Sequence, residues 1–219
     1  TSHQIERLCF ATTSSAQVRL RLNRLFNHEY LYRTDQPVRR SEGTKPYLYY
    51  MDTRGAHELA ALFGCAVNEL DWSRRDREMG FLHLPHLLLS NDIRIAATQS
   101  AAVHDYTIEE WRDERTLRRL HRTDLVTVTL PSGEQQTTHV IPDGYFLLQV
   151  ERKRKHRFIE IDRATVTGRT TSEQNRAWNK KVVAYLAWHR SGKYKQRYKT
   201  PAFGVLTITT TEERLSNLK

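Results

Sequence analysis

The sequence is short of cysteine, of acidic charge and of long apolar runs, and each shortage removes a class of protein. Cys9 and Cys65 are its two cysteines among 219 residues. They supply neither a disulfide framework nor a paired Cys metal site, and read as reduced, semi-buried thiols of a cytoplasmic protein. No apolar run approaches the roughly 20 residues that a bilayer-spanning helix needs. Internal repeats and low-complexity segments are also lacking. The first residues fit a helical pattern rather than a signal peptide, and because the chain starts at Thr1 without Met, further residues are expected upstream. Acid is outnumbered, with 25 Asp and Glu against 35 Lys and Arg and a net charge of +10. That balance calls for a polyanionic partner, nucleic acid first and an anionic membrane surface second. A hydrophobic share of 38% with 27% charged residues is that of a globular chain, and the length suits one large domain or two small ones.

The first third has the order of a winged helix-turn-helix. Ser2 to Cys9 is a short amphipathic helix, and Ser14 or Ser15 can cap a second one reaching about Asn27. Val18, Leu22 and Leu25 form its buried stripe. Gln17, Arg21, Arg24 and His28 share the same spacing on a neighbouring face, and Arg19 adds a cation. Such a row of donors reads either as a solvated face or as contacts to base edges and phosphates. A short strand at Tyr30–Arg33, a basic loop with Arg39, Arg40 and Lys45, and a second strand at Tyr47–Tyr50 follow as a basic-tipped wing. A helix from Thr53 to Phe63 ends at Gly64. This unit, 1–67, lacks the extra first helix of a complete winged helix. Residues 68–80, rich in charge, read as a linker.

Residues 81–219 read as a small α/β domain. Leu82 to Val103 is helical, Thr107–Trp111 and Leu125–Leu130 are strands, and Val140–Val150 is a strand carrying Asp143. Phe158–Asp162 carries Glu160. Between them Arg152, Lys153, Arg154, Lys155 and Arg157 make a hairpin tip, either a charged edge that resists aggregation or a phosphate clamp. A helix from about Glu173 to Arg190 follows, with Trp178, Val182, Tyr185, Leu186 and His189 as its buried stripe. Lys181 lies between Trp178 and Val182, free to reach the sheet or to snorkel to solvent. Val205–Thr209 is the last strand, before a polar C-terminal segment.

Pro142-Asp143-Gly144 and Glu160-Ile161-Asp162 carry the chemistry. A lone Pro-Asp-Gly usually marks a turn. If the two strands are neighbours, however, Asp143 and Glu160 lie side by side, and two such carboxylates can hold Mg2+ or Mn2+ whose other ligands are waters and phosphate oxygens.

The order of these elements, with Pro-Asp in one strand and Glu-x-Asp in the next, resembles the PD-(D/E)XK nuclease-like fold. The whole chain resembles the replication-relaxation family of plasmids and other mobile elements. The likeness rests on Ser90-Asn91-Asp92-Ile93-Arg94, Trp111 with Glu114, Pro142 to Phe146, Phe158 to Thr165, Lys181, Tyr185, Ser191 to Tyr194 and Thr207 to Leu215. It implies an α/β (α+β) fold: the winged helix-turn-helix followed by a restriction-endonuclease-like αβββαβ domain. One departure matters. The nuclease pattern has Lys two residues after the second acid, where this chain has Asp162. Lys181 is the candidate replacement, and Asp162 a candidate third ligand.

Two function classes follow. The first is a double-stranded-DNA-binding factor of a mobile element that assists a relaxase or replication initiator, with a homodimer as a further expectation and no membrane association. The second is an endonuclease or nickase using Asp143, Glu160, Asp162 and Lys181 with Mg2+ or Mn2+. A module that docks an acidic protein is a blander third.

Overall fold

The computed structural model describes residues 1–10, 14–38, 43–78, 83–121, 124–129, 133–163 and 171–218, with 171–177 described as helix backbone alone. The fold is mixed α+β, and the chain divides by contacts into two compact units, Thr1–Gln99 and Ser100–Lys219.

In the first unit, α1 (Ser2–Cys9) is closed by a capping box between Thr1 and Gln4, and α2 (Ser15–Asn27) by the Ser14 hydroxyl accepting from the Gln17 N–H. Such caps satisfy backbone donors that the helix leaves unpaired. Val18 and Leu22 are buried, but Leu25 is exposed, and the half-buried Phe26 continues their i, i+4 spacing instead. Strands β1 (Leu31–Thr34) and β2 (Leu48–Met51) pair antiparallel, Tyr32 opposite Tyr50. Arg33 is held between the rings of Phe26 and Tyr47 and donates to Asn23. The helix α3 (Thr53–Phe63) starts at the Asp52 cap and stops at Gly64 in a left-handed conformation. In the stretch read as a linker, Trp72 donates to the Met51 carbonyl, and Arg77 pairs with Asp52 at 2.8 Å over the Tyr32 ring. Both anchor that stretch to the β1–β2 hairpin. The helix α4 (Leu84–Val103) bears Asp92, paired with Arg7, while Asn91 is exposed. Cys9 is exposed rather than semi-buried, and both thiols are free.

The second unit is built on a four-stranded sheet in the order β3-β6-β7-β8, made of β3 (Thr107–Asp113), β6 (Gly144–Val150), β7 (Lys153–Asp162) and β8 (Gly204–Thr209). The first three are antiparallel and β8 runs parallel to β7, which requires a crossover. The helices α6 (Thr171–Ser191) and α7 (Lys193–Tyr198) make it. The Leu125 strand is present and half-buried as expected, and lies outside the main sheet. It is β4 (Leu125–Thr129), paired with β5 (Gln135–His139) in a separate two-stranded sheet. The expected Val140–Val150 strand is correspondingly shorter: Pro142 has no N–H for a ladder, and β6 begins only at Gly144. Three short helices complete the unit: α5 (Glu114–His121), α7, and α8 (Glu212–Asn217), capped by the Thr211 hydroxyl.

The core of this unit is aromatic. Tyr145, Phe158, Tyr185, Trp188, Tyr194 and Tyr198 pack with Leu117, Val126 and Val128, and Phe203 closes one side. Phe158 and Trp188 are fully buried with ring centroids 5.1 Å apart, and edge and tilted contacts of this kind add to the burial energy. The buried face of α6 is Ala184, Tyr185 and Trp188, whereas Val182 and Leu186 are 39% and 50% exposed. The buried stripe is therefore rotated from the Trp178–Val182–Leu186 phase. In the true phase Lys181, Ala184, Tyr185 and Trp188 follow one another at i, i+3, i+4 and i+7, which puts Lys181 on the face turned to the sheet.

Candidate functional site

The register of β6 against β7 decides what Asp143 can meet. Gly144 pairs with Ile159, so Asp143, one residue before the strand, falls beside Glu160. Its own N–H donates to the Ile159 carbonyl at 3.0 Å, and its Oδ2 accepts from the Ile161 N–H at 2.7 Å. The carboxylate is thus tied to the backbone of the strand that carries its partner. Gly144 helps: a Cβ there would meet the Ile159 side chain at 3.2 Å.

Glu160 is 2% exposed, a rare place for a carboxylate without partners. It has two. Lys181 donates to Oε2, and the Tyr185 hydroxyl donates to Oε1 at 2.7 Å. The Lys181 ammonium also lies 3.7 Å from Asp143 Oδ2. One amine from α6 therefore bridges two carboxylates from neighbouring strands. Burial pushes the Glu160 carboxyl up to about 7; Lys181 opposes the rise and Asp143 adds to it. Burial alone would lower Lys181, but Glu160 and Asp143 outweigh it and hold the ammonium above its ordinary range. The Tyr185 hydroxyl is raised well above its usual value by burial and then by the Glu160 charge, so it stays a donor.

Asp162 has another commitment. Its Oδ2 accepts from Arg214 Nε at 2.8 Å and from a terminal nitrogen of the same guanidinium at 2.6 Å. Arg214 is buried on α8. The structure thus brings Asp143, Glu160 and Lys181 together and ties Asp162 to Arg214. Asp143 and Glu160 offer oxygen donors alone, the type that suits a hard divalent cation.

The basic residues fall in several places. Gln17, Arg19, Arg21 and Arg24 are all exposed on α2, and His28 is exposed at its C-cap. At about 100° per residue, Gln17, Arg21, Arg24 and His28 flank one side of the Val18–Leu22 face and Arg19 the other. Arg21 lies over the Phe10 ring at 5.3 Å. Lys45 is exposed between β1 and β2, while Arg39 and Arg40 lie outside the described residues. Arg152 is in the two-residue turn between β6 and β7. Lys153, Arg154 and Lys155 are exposed at the start of β7, where alternation puts Arg154 on the face of Glu160 and the two lysines on the other.

The family model for replication-relaxation matches residues 1–202. The chain belongs to the replication-relaxation family. No curated protein and no solved structure matches it. The range shared with this family includes Asp143, Glu160, Lys181 and Tyr185 and ends before Arg214.

Two members of the site escaped the sequence reading. Tyr185 reads as a core residue, and it is one, but its hydroxyl end reaches Glu160; its i+4 spacing from Lys181 was the available signal. Arg214 lies in a segment that reads as polar tail. The Thr211 cap followed by Glu212 and Glu213 marks a helix start there, but nothing local announces that Arg214 turns to β7.

Proposed function

We propose that this protein is a DNA-binding factor of a plasmid or other mobile element, assisting replication or relaxation of double-stranded DNA without cutting it. The observation that carries this reading is the row of Gln17, Arg21, Arg24 and His28, exposed beside the buried face of α2. A helix that buries one stripe and offers long donors along its flank is the type that enters a major groove. The helix, helix, hairpin order of the first unit fits a winged helix-turn-helix, and the net charge of +10 favours a polyanion. The family's association with replication and relaxation makes a relaxase or replication initiator the fitting protein partner. A cytoplasmic place and a homodimer are in keeping with that role. The absence of cutting is supported by the state of the acids: both Glu160 oxygens are engaged, and Asp162 stands where the nuclease pattern has lysine, held by Arg214.

A second reading is a metal-dependent endonuclease or nickase of the PD-(D/E)XK type, and one observation favours it. Lys181 arrives from α6 at the two carboxylates, in the role of the missing strand lysine. The donor set fits a divalent ion: Asp143 and Glu160 would hold it, and the Lys181 side chain, 46% exposed, has room to leave them. A bound Mg2+ or Mn2+ would polarise a phosphodiester and acidify a water. Lys181 would then steady charge on the phosphate, and Tyr185 would hold Glu160 in its ionised form.

The two readings separate on one gel. Supercoiled plasmid is incubated with the full chain and Mg2+ or Mn2+, beside an Asp143→Ala/Glu160→Ala variant, in native and deproteinised lanes. Equal retardation by both proteins with no cleavage is the expected result. Nicking or linearisation by wild type alone replaces it with the nuclease reading, and no retardation by either protein removes both.

A further inference from the structure

At the other end of the sheet face that carries Glu160 lies a cavity of about 330 Å³. His156 marks it on β7, four residues and so about 13 Å from Glu160 along the strand. The walls are cationic. Arg112, Arg154, Arg197 and Lys199 line it, with Glu110 the one carboxylate among the lining residues.

These cations differ in what they have left to give. Arg197 is committed: its Nε and one terminal nitrogen hold Asp124, and the other donates to the Leu120 carbonyl. Arg112 is oriented by its Nε bond to Glu110 and by the Tyr145 and Tyr198 rings, 5.4 Å and 5.8 Å from its guanidinium carbon. The Glu110 bond uses one of the five donors on its fork. Arg154 is paired through Nε with Glu109 at 2.9 Å, which likewise fixes the fork without filling it. Lys199 is exposed and follows α7 in a left-handed conformation. His156 is buried, and its Nδ1 bonds the Tyr145 hydroxyl at 2.9 Å. Burial, then Arg154, lowers its pKa, so the ring is a neutral lining group at neutral pH.

Two pre-aimed guanidinium forks and an amine around a cavity of this size make an oxyanion receptor. The geometry points to a phosphate monoester as its ligand: a group of nearly two charges and three acceptor oxygens, presented by the end of a nucleic-acid strand or by a free nucleotide. Glu109, Glu110 and Asp124 each hold one of the arginines, so the preference for a monoester over a backbone diester rests on its third terminal oxygen, one acceptor for each of the two forks and for the amine. The site is distinct from the Asp143–Glu160–Lys181 cluster and needs no metal.

The test uses the full chain in EDTA, with binding of a deoxynucleoside 5′-monophosphate and of the matching deoxynucleoside followed by calorimetry and 31P line broadening. The expected result is binding of the monophosphate alone, weakened tenfold or more by Arg154→Gln/Lys199→Asn. Both residues are exposed, and Asn tolerates the left-handed backbone at 199, so melting temperature should hold. Lys180→Gln/Arg190→Gln, an equal change of charge at exposed positions of α6 outside the cavity lining, should bind within about twofold of wild type. Equal binding by nucleoside and monophosphate, or equal loss in the two double variants, overturns the proposal. Single-stranded oligonucleotides with a 5′-phosphate or a 5′-hydroxyl then separate the sources: tighter binding of the phosphorylated strand than of the mononucleotide assigns strand ends, and equal binding assigns free nucleotides. A protein that fails to retard duplex DNA yet binds the monophosphate would lose the DNA-binding reading and keep this pocket.

Discussion

Glu160 is a carboxylate whose protein environment favours its proton. Its pKa rises from 4.5 to about 7, with burial the leading cause. The folded chain therefore holds that proton more tightly than the unfolded chain. The stabilisation is fully present below about pH 4.5 and is lost as pH rises through about 7, the reverse of an ordinary salt-bridged acid. At about 1.4 kcal/mol per unit the difference is on the order of 3 kcal/mol. Glu160→Gln keeps an oxygen for Tyr185 and cannot titrate. Urea denaturation of both proteins from pH 4.5 to 8 should show wild type losing stability relative to the variant as pH rises. A constant gap would mean that Glu160 titrates alike in the folded and unfolded chain. Taking the gap between two proteins removes the His156 contribution, which has the opposite sign because burial lowers that group.

At the scale of elements, the close approach of α3 to the start of β1 rests on one glycine. A Cβ on Gly55 would lie 2.3 Å from the Tyr30 carbonyl oxygen, which also accepts from the Asp52 N–H. Backbone cannot yield as a side-chain end can. Gly55→Ala should destabilise the chain by about 1–3 kcal/mol, as overpacking does, read as a lower urea midpoint. An unchanged midpoint would mean that α3 can shift off the hairpin without cost. Several elements were legible because a local signal marks them. The Ser14 cap, the Gly64 stop and the alternation in Leu125–Thr129 all appear in the structure. The adjacency of Asp143 and Glu160 was legible too, since a short basic turn between two apolar runs implies antiparallel neighbours. What escaped depended on partners distant in sequence. In α6 several phases offer apolar residues, and only the sheet picks Ala184, Tyr185 and Trp188 over Val182 and Leu186. That choice of phase turns Lys181 inward. In α7, Tyr194 and Tyr198 at i, i+4 do signal a buried face, but six residues are too few for periodicity to stand out. The β4–β5 sheet was legible in its first strand alone, because the alternation in Leu125–Thr129 says that a strand is half-buried, never against which layer or with which partner.

For the molecule as a whole, the proposed DNA binding predicts an affinity that varies with salt, given the excess of cations. Each phosphate contact releases condensed counterions and adds about 0.9 to the slope of log affinity against log salt on duplex DNA. Arg21 and Arg24 are exposed on the same flank of α2, so they approach the duplex together or not at all. If both neutralise phosphates, Arg21→Ala/Arg24→Ala lowers the slope by about 1.8 and weakens all duplexes alike. If they reach base edges, the slope changes less and the loss falls on one sequence, at about 1–3 kcal/mol for each bidentate contact. The row also contains Gln17 and His28, and the Gln17 amide is a neutral donor that adds nothing to a salt slope. A flank made for phosphates alone has little use for it, whereas a flank that reads a groove needs donors of both kinds. The expected outcome is therefore mixed: a slope lowered by about one contact, together with loss of preference among random duplexes in a selection experiment. Full affinity and an unchanged slope in the double variant would take α2 out of the DNA interface and leave the basic loop with Arg39, Arg40 and Lys45 and the basic hairpin at Arg152–Lys155 as the remaining candidates.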